Sequence, residues 1–535
     1  MPSKPSEDVP AEMWMQIFES INNPVDLHSI ILTCRRFYSY ALRSLHRNVV
    51  WENPREVASN LPSWDVDPHM AGEVQTLEVQ VSTLFPFYPV NFYDRQGNMI
   101  FNPRAPENGP SDFENWPLTK SLIYYNLLRR NSFATDDLYQ TMINRILTFT
   151  NMHSLTFRKV VFSDRLFGVI HALPALRKLH LELCLFPGRN NTTPRNHAEL
   201  QLTDLTLLNL RRRVHHIHGF DLLDAHGNGH QVADMDDDIT HVLELALAPN
   251  LRSLHIDSTA DVLGRVFCLW NPHTLQYNFN IPQNLERLYI TRKKYVDGEV
   301  QPQFMGEQFF PDRALYALFN NCTTLTHLAL AHQLPRHSPF PPNVLSRLRF
   351  AEGTAEALMI ITPYRPSVIG LSILHAEPSA MSILGSLSQL SRHHPNLEML
   401  AIECGNWDDE IMHAVCQLFP ALKRLKITYL RSNGPSEDTI VSFGPHFLSR
   451  LKHLRSIAIH EAPRGIYATH PSSLFDPTFQ SIADELKEFA IPWNRYCPEL
   501  REVQLHAGWK ITRGYDGGQW NLEKVKFVPN EDLWV

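Results

Sequence analysis

The residues best suited to chemistry in this sequence are its histidines, 27 in all. The densest group is His215, His216 and His218, then His226 and His230, followed by the acidic run Asp234, Asp236, Asp237 and Asp238. Imidazole and carboxylate are both metal ligands, so the composition invites a metal site. The spacing argues against one. His226 and His230 would share a face only on a helix, and Gly227 and Gly229 between them disfavour a helix. A solvated insertion loop is expected there, with no metal and no cofactor. Other chemistries lack their signatures: the sequence has no H-E-x-x-H pair, no G-x-S-x-G elbow and no G-x-x-x-x-G-K-[ST] phosphate loop. His226-Gly227-Asn228-Gly229-His230 is one glycine short of a dinucleotide fingerprint. The chain reads as a protein that is not an enzyme.

Composition narrows the class further. The 535 residues are 43% hydrophobic and 20% charged, enough apolar material for a large core. A net charge of -7 argues against a general binder of nucleic acid or anionic membrane. Seven cysteines, from Cys34 to Cys497, form no C-x-x-C pair, which predicts reduced thiols rather than a disulfide framework or a zinc site. Residues Met1 to Pro5 are polar, without the apolar core of a signal peptide, and no apolar run approaches the ~20 residues of a membrane helix. These features predict a cytoplasmic or nuclear protein.

The elements that must position any binding residues come from a repeat. From about residue 150 the pattern L-x-x-L-x-L returns, often with proline two residues ahead. Pro174-Ala175-Leu176 leads to Leu179 and Leu181, Pro249-Asn250-Leu251 to Leu254 and Ile256, and Pro282-Gln283-Asn284-Leu285 to Leu288 and Ile290. The same unit follows at Leu325, Val368, Leu397, Leu422, Leu454 and Leu500, with weaker copies at Leu155, Leu202 and Leu522 to Phe527. Two apolar residues spaced two apart suit a strand with one buried face. Helical stripes such as Ile411, Val415 and Leu418 precede several strands, and a proline ends them. Strand, helix and parallel strand stack into a solenoid, because no single unit can bury its own leucines. Spacing is uneven: Leu397 to Leu422 fits the usual ~20–29 period but Leu285 to Leu325 does not, which predicts inserted loops.

If the leucines point inward, the residues between them line the concave face. His180, His255, Tyr289, Arg424, Lys426, His460 and His506 are the candidates there for touching a partner. Basic members such as Lys178 and Arg287 are matched by Glu182, Asp257, Glu403 and Glu502. That mixture favours a protein or peptide ligand over nucleic acid. Between residues 51 and 150 the pattern weakens. Val74, Leu77 and Val79 suggest a first strand, Phe85 to Tyr93 an aromatic and proline-rich loop, and Leu118 to Phe149 a helical stretch.

Residues 8–50 read differently, as three short helices. Met13, Ile17 and Ile21 recur at i, i+4 and i+8, flanked by Trp14 and Phe18, and Leu27, Ile30, Ile31 and Cys34 make a second stripe. Phe37, Ala41, Leu42 and Leu45 supply a third. A bundle of ~40 residues has too little interior for all of these. The surplus face either packs on the rest of the chain or docks another protein's helices.

These residues carry a resemblance. Val9-Pro10-Ala11-Glu12-Met13, Ile17 to Ile21, Asp26-Leu27 and Leu32-Thr33-Cys34-Arg35-Arg36-Phe37 resemble the F-box motif across roughly forty residues, with Val9 and Ile21 where leucine is usual. The irregular repeats are similar to those of fungal F-box proteins. The resemblance implies that Pro10, Met13, Ile17, Phe18, Ile21, Leu27 and Leu32 make or support contacts to the Skp-type linker of a cullin-RING ubiquitin ligase. It thus implies an SCF-type substrate adaptor, with an unknown protein target on the repeats. An F-box protein acting outside ubiquitylation and a plain repeat scaffold are the rival readings. The expected fold is α/β: a flexible segment at 1–7, a helical module at 8–50, a linking region at 51–150 and a leucine-repeat solenoid over 151–535.

Overall fold

Leucines spaced two apart leave each strand one face to bury, and the chain meets this by stacking strands in parallel, as a computed structural model shows. The structure describes residues 9–21, 24–52, 57–58, 60–61, 68–80, 92–93, 99–100, 138–160, 162–186, 193–208, 210–212, 239–257, 262–271, 273–274, 276–291, 312–331, 334, 340–375, 383–430, 434–462, 479–514 and 518–525. The chain divides into two compact units, Met1–Leu251 and Arg252–Val535.

The first unit opens with helices α1 (Ala11–Glu19), α2 (Pro24–Ile31) and α3 (Arg35–His46). Pro24 begins α2, with Asp26 in its first turn, and Arg35 and Arg36 begin α3 behind the capping residue Cys34. Strands β1 (Asn48–Trp51), β2 (Thr76–Val79), β3 (Ser154–Arg158), β4 (Lys178–Glu182) and β5 (Asp204–Leu208) follow, all parallel and neighbours in that order. The first strand is thus Asn48–Trp51, one earlier than Leu77 and Val79 suggest. Helix α4 (Asp164–Ala172), capped by Ser163, connects β3 to β4. A helix covers 138–146, so part of the expected helical stretch is helical, while 118–137 lies outside the described residues. Phe92–Tyr93 pairs antiparallel with Met99–Ile100; the rest of the aromatic loop, the histidine-rich run at 215–230 and residues 1–7 also lie outside them.

Stacking is enforced by a repeated hydrogen-bond device. The residue before each strand accepts from two successive N–H groups of the next repeat: Arg47 from Gln75 and Thr76, His153 from Arg177 and Lys178, Arg177 from Thr203 and Asp204. After β3 and β4 the backbone turns left-handed at Lys159 (φ 55) and Leu183 (φ 55). Both are non-glycine residues in a costly region. Each N–H is used there, Lys159 donating to Glu182 O and Leu183 to Leu208 O. The turn also sends Cys184 inward, where its thiol donates to Phe157 O at 3.3 Å.

The second unit repeats the plan. Strands β6 (Ser253–Asp257), β7 (Arg287–Thr291), β8 (His327–Leu330), β9 (Phe350–Thr354), β10 (Gly370–Leu374), β11 (Met399–Cys404), β12 (Arg424–Tyr429), β13 (Ser456–Glu461) and β14 (Glu502–His506) run parallel in that order. Helices α5 (Asp312–Asn321), α6 (Ala355–Ile361), α7 (Ile383–His393), α8 (Asp409–Leu418), α9 (Glu437–His446) and α10 (Ile482–Tyr496) lie between them in sequence. Thr354, Asp408, Ser436 and Ser481 cap four of these through their side chains. Where several repeats begin, the first leucine's N–H bonds the carbonyl three residues back: Leu325 to Cys322, Leu422 to Phe419, Leu500 to Cys497. Two antiparallel strands, β15 (Trp509–Thr512) and β16 (Asn521–Lys524), close the array. The Leu522 segment is therefore an exposed edge strand and not another parallel repeat. Gly508 (φ 82) makes the β14–β15 turn that a side chain would strain.

Strand β9 departs from the leucine rule. Ala351 and Gly353 stand at its leucine positions, in a run buried from Ala351 to Thr354, and α6 starts directly after it. A Cβ on Gly353 would sit 3.0 Å from Leu330 O and 3.4 Å from the Ala357 Cβ. Small residues are what allow helix and strand so close. Gly353→Leu restores the repeat consensus, yet it is expected to lower the second unit's stability by about 1–3 kcal/mol in urea titration. An unchanged midpoint would show that β9 and α6 can part at no cost.

Candidate functional site

Two surfaces hold the residues singled out from sequence. The first is the helical unit. Phe18 (2% exposed) and Leu27 are buried with Ile31 and Ala41, and Ile21 packs half-buried against them. Trp14, Phe18 and Phe37 form an aromatic triangle, with ring centroids 5.8, 4.6 and 5.3 Å apart, so α3 takes the aromatic faces of α1. That leaves the other side of α1 outward. Met13 is 51% exposed and Ile17 43%, one turn apart, with exposed Pro10 at the helix start. Leu32 at the end of α2 is 73% exposed, and Val25 is exposed as well. Of the seven residues in question, Phe18 and Leu27 build the core, Ile21 sits at its edge, and Pro10, Met13, Ile17 and Leu32 face solvent.

The unit is tied down at both ends. Arg36 Nη2 donates to Val9 O at 3.1 Å, fixing the entry to α1. Arg47 follows α3 directly, donates from Nε to Gln75 Oε1 at 2.7 Å, and lies 3.8 Å from Glu19. Strand β1 starts at the next residue, so the helices run into the sheet without a linker.

The second surface is the sheet face opposite the leucines. In the first unit His180 Nε2 lies 3.2 Å from Glu182 Oε2, which also pairs with Arg158 Nε at 3.1 Å; Arg158 Nη1 reaches Glu78 at 3.0 Å. His180 is thus the end of a charge ladder across β2, β3 and β4. In the second unit His255 and Tyr289 are adjacent, their rings edge to face at 5.8 Å. Arg424 and Lys426 stand half-buried on β12. His327 stacks on Phe350 at 4.5 Å, with the Arg349 guanidinium 5.9 Å from that ring. Burial first, then the charges of Arg287 and Arg349, push the His327 pKa down to about 4. Nothing in the sequence pattern marks Phe350 and Arg349, because β9 lacks leucines.

The expectation of an open face needs correction in two places. Register puts Ala329, Glu352, Ser372 and Ala401 in one outward row, and all four are buried. His460 and His506 are buried too, so neither is presented to a partner. His506 Nε2 donates to Glu485 Oε2 of α10 at 2.7 Å, and both side chains are inside. Burial lowers the His506 pKa, against the pull of Glu485. His460 Nδ1 donates to Glu461 O at 2.9 Å, and burial, with Lys426 and His506 adding to it, holds its pKa at about 4.

Four of the buried thiols are poor nucleophiles: burial pushes Cys184, Cys322, Cys404 and Cys416 up to about 12. Among the described residues no group of three His, Cys, Asp or Glu is placed to hold a metal ion. No helix among them is long and apolar enough to cross a membrane. The geometry offers surfaces for contact: one apolar, on helices, and one polar and aromatic, on strands.

No protein-family model and no curated protein matches this sequence. Among solved structures, an internalin (inlF) from Listeria monocytogenes str. 4b F2365 matches at 15% identity and a TM-score of 0.27, over 59% of this chain and 69% of that one. The present chain shows its leucine repeat in its own strand register and buried leucines.

Proposed function

We propose that the chain is a non-catalytic adaptor, in which the three N-terminal helices dock the Skp-type linker of a cullin-RING ligase and the repeats hold a protein target. One observation carries this reading. Met13, Ile17 and Leu32 are exposed apolar side chains on a helical unit whose own core is already closed by Phe18, Leu27 and Ala41. Exposed apolar residues on and beside two helices of one small unit suit a helix-in-groove partner. The direct run from α3 into β1 supports a second part of the reading, since it would hold a target captured on the first unit's strands at a fixed distance from whatever the helices bind.

The test is a pull-down of full-length protein with purified linker subunit, comparing wild type with Met13→Asp/Ile17→Asp. Both residues are exposed, so the fold should survive, as circular dichroism can check. Wild-type binding weakened at least roughly 100-fold by the double change supports the adaptor. Failure of folded wild type to bind leaves the rival, a repeat scaffold whose first helices cap the array. If the linker binds, ubiquitylation of a captured partner separates a ligase adaptor from an F-box protein that acts elsewhere.

A further inference from the structure

Between β4 and β5 the chain returns to α4 through residues 193–200, and the contacts there are charged. Asp164, in the first turn of α4, accepts from Thr193 N at 3.0 Å and from the Thr193 hydroxyl at 2.8 Å. Arg195 Nη2 donates to Asp164 O at 3.0 Å and to Asp164 Oδ1 at 3.2 Å. The guanidinium lies 5.9 Å over Phe167, in space that Gly168 leaves open: a Cβ there would be 2.9 Å from Arg195 Nη2. Beside this clamp His171 of α4 meets His197 of the strap, ring centroids 5.1 Å apart. Each ring keeps one buried nitrogen without a hydrogen bond, Nε2 of His171 and Nδ1 of His197.

The charged and titratable groups around this pair are Asp164 and Arg165 on α4, Arg195 and Glu199 on the strap, and His241 and Glu244 on the neighbouring segment 239–247. Glu244 lies 3.8 Å from His197 Nε2, too far for a strong bond. Arg195 is the cation that acts on both rings. A metal ion between the two orphaned nitrogens would meet that cation, so the pair is not a metal site. A proton meets the same cation, but a proton can be accommodated if the strap leaves.

We propose that the His171–His197 contact is a proton-operated latch, which holds residues 193–200 on α4 and releases them on acidification. Release exchanges two imidazoles held neutral beside Arg195 for two that are free to charge in water. It also uncovers Phe167 and Leu200, an apolar patch on the first unit. Burial, His197 and Arg195 in that order hold His171 to about 4, and burial followed by Arg195 lowers His197. Both groups therefore favour the closed strap above their ordinary range near 6.5, and that preference fades as pH falls toward the folded values.

Hydrogen exchange on the full chain, corrected for the intrinsic pH dependence, reads this directly. Between pH 7.5 and 5, strap protection should fall at least roughly tenfold, after discounting for partial solvent exposure. Protection of β3 in the same unit should hold. In His171→Phe/His197→Phe the rings still stack but cannot titrate, and the strap's response should vanish. A strap that keeps its protection, or loses it in step with β3, overturns the latch. So does a double variant that responds like wild type. If the double variant is unprotected at both segments already at pH 7.5, His171→Gln takes its place, and a full wild-type response there overturns the proposal as well.

Discussion

Replacing Arg365 with alanine should destabilise the second unit by about 3–5 kcal/mol, the cost of opening a cavity and stranding buried carbonyls together. The side chain is 2% exposed. Its Nε donates to Val344 O at 3.0 Å, Nη1 to Pro363 O at 2.7 Å, and Nη2 to Val344 O at 2.7 Å and Pro341 O at 3.1 Å. Burial lowers its pKa to about 10, so it stays charged at neutral pH. Arg365 stands three residues before the first apolar residue of its repeat, Val368, whose N–H it accepts at 3.2 Å. The same place in other repeats holds Phe419, Leu451 and Cys497, all buried and apolar. The arginine is there because the turn at 341–345, with Leu345 left-handed at φ 53, points the Pro341 and Val344 carbonyls into the repeat, and one planar fork can satisfy both together with Pro363 O. Arg365→Leu therefore restores the rule of the other repeats without restoring the bonds, and should still cost about 2–3 kcal/mol. Urea unfolding with hydrogen exchange over 340–375 checks both. A loss under 1 kcal/mol for the alanine variant would mean that water replaces the guanidinium at no penalty.

Much of the array was legible because its leucines have a period that only a half-buried strand explains. Leu179 and Leu181, or Leu425 and Ile427, identify strands without help from any neighbour. What stayed hidden shares one cause: the decisive contact lies in another part of the chain. Strand β9 is invisible because α6 lies so close that alanine and glycine replace the leucines. Strand β1 sits at the end of an amphipathic helix pattern and is fixed as a strand by pairing with β2. On the helical unit, periodicity marks a broad apolar face, but only the aromatic packing of Phe37 decides that Phe18 turns in and Ile17 stays out. For the candidate site, alternation tells which side of the sheet a residue occupies and nothing about what lies over it. Alternation puts His460 and His506 on strands, where the structure has them, yet a carboxylate on α10 and burial take them out of reach of a partner.

Buried imidazoles should make the second unit acid-labile, and the expected effect is large. Burial holds His394 and His460 at about 4. His394 is also depressed by His393 and Arg365, against a favourable bond to the Thr362 carbonyl. A lowered folded value means that the unfolded chain binds the proton first. The stabilisation is present in full above about pH 6.5 and is lost as pH falls from there toward 4. Each fully buried histidine shifted this far is worth about 3 kcal/mol, and allowing for partial exposure the two together should cost about 4–5 kcal/mol between pH 7 and 4. That is a large share of what holds an ordinary domain together. The slope can be assigned, because His394 occupies the same repeat position as Phe419 and Leu451, three residues before its leucine. His394→Leu should keep the fold at pH 7 and remove roughly half of the acid slope in urea titrations from pH 7 to 4.5. Arg365 should be present when this is measured, since its loss would both destabilise the unit and relieve one cause of the depressed His394. A wild-type stability that is flat over this range would show that water reaches both rings, and an unchanged slope in His394→Leu would assign the protons elsewhere.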